Sequence, residues 1–147
     1  MGKKHSLQIA IAFLIFFMLA GILPVNRPVH AQAYSAYDLI AAVNDLRSQY
    51  GLAPYQVDGS LMDYAQMHAA YMASIGSVTH IRGDGSRPRD LGLLENIAMG
   101  NNYSPSDVIF TLWTDEAHWN NLVGVSGGYI GAGVAQQGNF IYYAMDG

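Results

Sequence analysis

The sequence predicts an α+β domain, and three observations predict it. Segments with helical spacing of apolar residues come first in the chain. Two β-rich segments separated by a two-residue turn signal come last. The chain has no cysteine, so a packed core and not disulfides must hold it together.

Residues 1–31 stand apart from that domain. Lys3, Lys4 and His5 form a basic head, Ile9 to Leu23 is an apolar run of fifteen residues, and Pro24 ends it. Val29-His30-Ala31 places small residues where a signal peptidase needs them, so the segment reads as a secretory signal peptide. The run is short for a membrane span, which needs about 20 residues. The expected organisation is therefore a signal peptide at 1–31 and a single domain at 32–147, secreted and with no stable membrane span after cleavage.

The first helix is expected over 35–51. Ser35 and Asp38 form a capping-box-like start, Leu39, Val43, Leu46 and Tyr50 recur at helical spacing, and Gly51 can end it. Residues 53–60 read as a connector. A second helix follows, with Leu61, Tyr64, Ala65, His68 and Met72 on one stripe; Asp58 or Ser60 can cap it and Gly76 closes it. From 77 to 99 no period is sustained, because Gly83, Gly85, Pro88 and Gly92 interrupt it. A short helix or turn is expected near Glu95. Ser104, Pro105 and Asp107 open a third helix, whose apolar side is Val108, Ile109 and Leu112. YIGAGVAQ and FIYYAMD then read as a β-hairpin turning at Gly138-Asn139.

Charge narrows the function. Residues 32–147 hold four arginines and no lysine against all eleven carboxylates of the chain, a formal charge of −7. Such a surface repels phosphate backbones, which argues against nucleic acid as a partner.

His68, His80 and His118 are the histidines of this part. His68 lies on an apolar helix stripe and reads as a packed, structural residue. His80 follows a helix end, and His118 sits in WTDEAHWNN beside Glu116. With Glu95, His80 and His118 form a set of two imidazoles and one or two carboxylates near element ends. Such a set suits zinc or a similar divalent ion, and equally suits acid–base work. No local spacing rule such as HExxH selects between the two. Gly124-Val125-Ser126-Gly127-Gly128 matches the nucleophile-elbow pattern but lacks the strand before and helix after it, so it reads as a glycine turn. Arg82-Gly83-Asp84 reads as a polar turn, and the arginines of this loop as connector.

The order of these pieces resembles the CAP superfamily (cysteine-rich secretory proteins, antigen 5 and pathogenesis-related class-1 proteins) in its short, cysteine-free bacterial form. The resemblance spans residues 36–146. It rests on VNDLRSQYGLAPYQVD, on LMDYAQMHAAYMASIG with His80 after it, on LENIA, SPSDVIFTLW and EAHWNNL, and on the final strand pair. It implies an α-β-α sandwich with a small antiparallel sheet between helices. It also implies a cleft of two histidines and two acids: His80, Glu95, His118 and Glu116, with Asp115 as the substitute for Glu116. Asn96 would pin the loop that presents Glu95, and His68 would be a core histidine. Members of the family have been linked to divalent metals and to sterols or lipids, and proteolysis has been proposed for a few.

The resulting expectation is a secreted, non-catalytic binding module. Its cleft would hold a zinc-like ion, and a nearby groove would take a small apolar, lipid or cell-envelope ligand. A metal-assisted hydrolase with Glu95 as general base, and a cell-surface interaction protein acting through its loops, are the alternatives.

Overall fold

The computed structural model describes residues 33–147; the expected signal peptide lies outside them. Helix α1, Ala36–Gln49, starts as the sequence predicts: the Ser35 hydroxyl accepts from Asp38 N and the Asp38 carboxylate accepts from Ser35 N at 2.7 Å. Its buried face is Leu39, Ile40, Val43 and Leu46, joined by Arg47. Helix α2, Gly59–Ile75, is capped by Asp58, which accepts from Leu61 N at 2.9 Å, and ends at Gly76 with φ 66°. Ser104 caps α3, Pro105–Asp107, which continues as a π-helical turn over Val108–Leu112. Asp115 caps α4, Glu116–Val123.

Four strands form one sheet: β1 (Gln56–Val57), β2 (Glu95–Asn101), β3 (Tyr129–Gln137) and β4 (Phe140–Asp146), in the order β1-β3-β4-β2. The expected hairpin is β3–β4, with positive φ at Gly138 (60°) and not at Asn139, the type II′ pattern. Two expectations need correction. The connector 53–60 contains β1, which pairs parallel with β3, so the sheet is mixed and not wholly antiparallel. Two residues carry no alternation to read. The short helix or turn expected near Glu95 is strand β2, antiparallel to β4. Its inward positions are Asn96, Ala98 and Gly100, so polar and small residues sit where apolar alternation would have marked a strand.

The sheet lies between helical layers. On one face Ile130, Ala132, Val134, Ile141, Tyr143 and Met145 pack with α1, Val108, Ile109, Trp113 and Leu122. On the other, Tyr142 and Ala144 pack with Ala65, Ala69, Met72 and Ala73 of α2. Strand β3 offers α2 only glycine at two positions. A Cβ on Gly131 would stand 2.0 Å from the Leu61 carbonyl carbon, and one on Gly133 2.2 Å from the Ala65 oxygen. Helix α2 therefore lies directly on the β3 backbone. Side-chain alternation then sends Glu95 and Asp146 to the α2 face and Asn96 to the α4 face.

Candidate functional site

Register creates the site. Glu95, the first residue of β2, stands directly opposite Asp146, the last of β4. Two carboxylates side by side repel, and burial makes this worse. Arg82 resolves the conflict. Its Nη2 donates to Asp146 Oδ1 and Oδ2 at 2.9 and 3.0 Å and to Glu95 Oε1 at 3.0 Å. Its Nη1 donates to Tyr64 O at 2.8 Å, and its Cζ lies 3.3 Å above the Tyr64 ring. Arg82 is 6% exposed and Asp146 wholly buried. The reading of Arg82-Gly83-Asp84 as a polar turn and connector therefore fails at Arg82, which is the internal counter-ion of the site.

His80 caps this charge network from the cleft side. Its Nδ1 and Glu95 Oε2 lie 2.6 Å apart with one proton between them. Burial and then the Asp146 charge push the Glu95 carboxyl up to about 8, against the opposing pull of Arg82. Burial raises Asp146 to about 6. Burial and then the Arg89 charge lower His80. His68 is buried as expected: its Nε2 donates to Thr79 O at 2.6 Å and stands 3.6 Å from Glu95 Oε1. Burial and then Arg82 hold it down to about 4, so it stays neutral. It is thus a structural residue, and one that also backs Glu95.

The second histidine forms its own pair. His118 Nδ1 bonds the Asp115 carboxylate, and its ring stacks on Trp113 with centroids 6.5 Å apart. The acid at His118 is Asp115. Glu116 is exposed in the first turn of α4 and makes no hydrogen bond or ion pair among the described residues. Among those residues no group of three or more His, Asp or Glu side chains is arranged to hold a metal ion. The structure thus shows two imidazole–carboxyl pairs, His80–Glu95 and His118–Asp115, with Glu116 exposed. In each pair Nδ1 faces the carboxyl group and Nε2 is the outward nitrogen; at His80 it becomes a donor atom for a cation once Glu95 gives up its proton.

Asparagines link the two pairs. Asn96 Nδ2 donates to His118 O at 3.0 Å, and Asn121 Nδ2 donates to Asn96 Oδ1 at 2.8 Å. Asn96 thus pins α4 to the start of β2. A cleft of about 330 Å³ opens over His80 and Glu95, walled by Arg87, Pro88, Arg89, Leu93, Leu94 and Asn121. Sequence reasoning missed Arg82, Asp146 and Asn121. Asp146 had a signal, a lone acid closing the otherwise apolar strand FIYYAM.

The model of the cysteine-rich secretory protein family matches residues 40–145. No curated protein is similar enough in sequence to count as a match. Among solved structures, an outer surface protein from Borrelia burgdorferi superposes with a TM-score of 0.60 at 16% identity, over 79% of this chain and 95% of that one. An extracellular SCP-domain protein from Bacillus anthracis gives 0.57 at 20% identity, over 85% of this chain and 44% of that longer one. A cysteine-rich secretory protein from Staphylococcus aureus gives 0.53 at 17%, over 82% of this chain and 40% of that one. At these identities the structures show a shared fold. With the family match and the helix–sheet–helix layering, they establish that the chain belongs to the cysteine-rich secretory protein (CAP) family and has its α-β-α sandwich fold.

Proposed function

We propose that the chain is a secreted, non-catalytic binding module whose cleft at His80 and Glu95 takes a small ligand with an apolar body. One observation carries this reading. Glu95, the natural general base, has Oε2 committed to His80 and Oε1 to Arg82, and its side chain is 3% exposed. No serine, threonine or cysteine lines the cleft to act as nucleophile. The groups that could do chemistry are spent on holding the cleft's shape, which suits recognition and not turnover. Secretion is supported by the apolar run at 9–23 and by neighbours described as outer surface or extracellular proteins. Among the described residues no helix is long and apolar enough to cross a membrane.

A divalent ion belongs to this proposal as a ligand of the folded chain, to be held by Nε2 of His80 and His118. Its support is that each imidazole has Nδ1 tied to a carboxylate, the arrangement that orients metal-binding histidines. The test of the binding reading is the fluorescence of Nile red, a neutral apolar probe, titrated with the purified chain. A rise with the wild type that is lost in Leu94→Asp supports it. Ester or peptide turnover that disappears in Glu95→Gln would replace it with a hydrolase.

A further inference from the structure

Four arginines are the only Lys or Arg side chains among residues 33–147. Two are buried inside the protein: Arg47 on carbonyl oxygens and Arg82 on the carboxylates. The other two, Arg87 and Arg89, both line the cleft of His80. Arg89 is well exposed and has only a 3.8 Å contact with the equally open Asp90, which is worth little in water. Arg87 makes no side-chain hydrogen bond or ion pair among the described residues. Among the described residues, where acids outnumber bases, the accessible permanent positive charge is thus confined to one rim.

The cleft also has a direction. Leu94 and Asn121 are walls of the His80 cleft and of a second hollow of about 190 Å³. That hollow is lined by Tyr55, Val125, Tyr129, Ile130 and Met145, with glycines between them, and by no charged side chain. Of these two hollows with shared walls, the one at His80 has a cationic rim and the other is apolar.

We infer that the groove binds an anionic amphiphile, with its carboxylate or phosphate head between Arg87 and Arg89 and its hydrocarbon body running past Leu94 into the Tyr55–Met145 hollow. This rests on the binding reading above and adds the charge and the orientation of the ligand. Field and shape agree: the positive rim concentrates anions from solution, while the surrounding negative surface disfavours binding them elsewhere. The planar guanidinium forks suit a carboxylate or phosphate head in two-point contact.

Decanoate, decyl phosphate, decanol and decyltrimethylammonium, titrated into the purified full-length chain by calorimetry, test it. At low ionic strength decanoate or decyl phosphate should bind about tenfold or more tightly than decanol, and the ammonium probe more weakly still. The preference between the two anions tells a carboxylate head from a phosphate head. Arg87→Gln/Arg89→Gln should bring both anions to the decanol level and remove their dependence on salt. Leu94→Asp should weaken decanol and both anions. Equal binding of decanol and both anions, or an unchanged preference in the double arginine variant, overturns the charge assignment and leaves the binding reading standing. Failure of every C10 probe overturns both.

Discussion

Three residues decide the chemistry of the site, and their titration gives it a pH signature. Glu95 keeps its proton to about pH 8 in the folded state, against 4.5 when free. A raised carboxyl pKa favours folding fully below the free value and progressively less as pH climbs through the folded one. His68 works in the opposite sense: its contribution is present above 6.5 and fades as pH falls through about 4. Asp146, at about 6, has the sign of Glu95. Below pH 6.5 these trends oppose one another, while between 6.5 and 8 the Glu95 contribution stands alone among them. The urea midpoint in chelator-treated buffer should therefore fall from pH 6.5 to 8, and Glu95→Gln should flatten that fall. A wild-type midpoint constant over this range counts against the buried proton. Arg82 gives a second prediction. Arg82→Met strips the counter-ion from Asp146 and should cost about 3–5 kcal/mol, as breaking buried pairs does. The loss should be smaller at pH 5 than at pH 8, because Asp146 can then protonate, and Asp146→Asn should recover part of it. Equal losses at both pH values would place the effect in packing and not in charge.

At the scale of elements, the contact between α2 and β3 sets the geometry that brings these residues together. The glycines of YIGAGVAQ let the helix backbone rest on the strand. A Gly133→Ala methyl would land 2.2 Å from the Ala65 oxygen, so the helix must lift. Denaturant unfolding should show a loss of about 3 kcal/mol or more, at the upper end for overpacking. Gly127→Ala, with nothing within 4 Å of the added carbon, should stay within about 0.5 kcal/mol of wild type. These elements differ in how far the sequence revealed them. Capping residues and apolar stripes marked α1, α2 and the start of α3 because those signals are local. Strand β2 was hidden because its inward face is Asn96, Ala98 and Gly100, residues chosen by what packs on them from α4 and Tyr103. The pairing of Glu95 with Asp146 joins residues fifty-one positions apart through strand register, which no local window contains. For the same reason Arg82 passed for a loop residue: its partners, Tyr64, Glu95 and Asp146, come from three separate segments.

At the scale of the whole molecule, both apolar layers close on the sheet, Arg82 meets the buried carboxyl groups, and the Arg47 guanidinium is satisfied by backbone carbonyls. The expectation is that the chain folds without a bound ion and that a metal acts by linkage. Chelation should leave the unfolding midpoint of the purified chain where it is. Zinc at a hundredfold excess over its dissociation constant should add about 2.7 kcal/mol if the native state alone holds it. His80→Ala/His118→Ala should abolish that increment. The acids give a finer discrimination, because the orienting partner of His118 is Asp115 and not Glu116. Asp115→Asn should weaken zinc by about 10–100-fold, the usual effect of losing an outer partner of a ligand, whereas Glu116→Gln should bind as the wild type does. An equal zinc shift in the double histidine variant removes the metal from the function. A loss in Glu116→Gln as large as in Asp115→Asn would return Glu116 to the ligand set that the sequence first suggested.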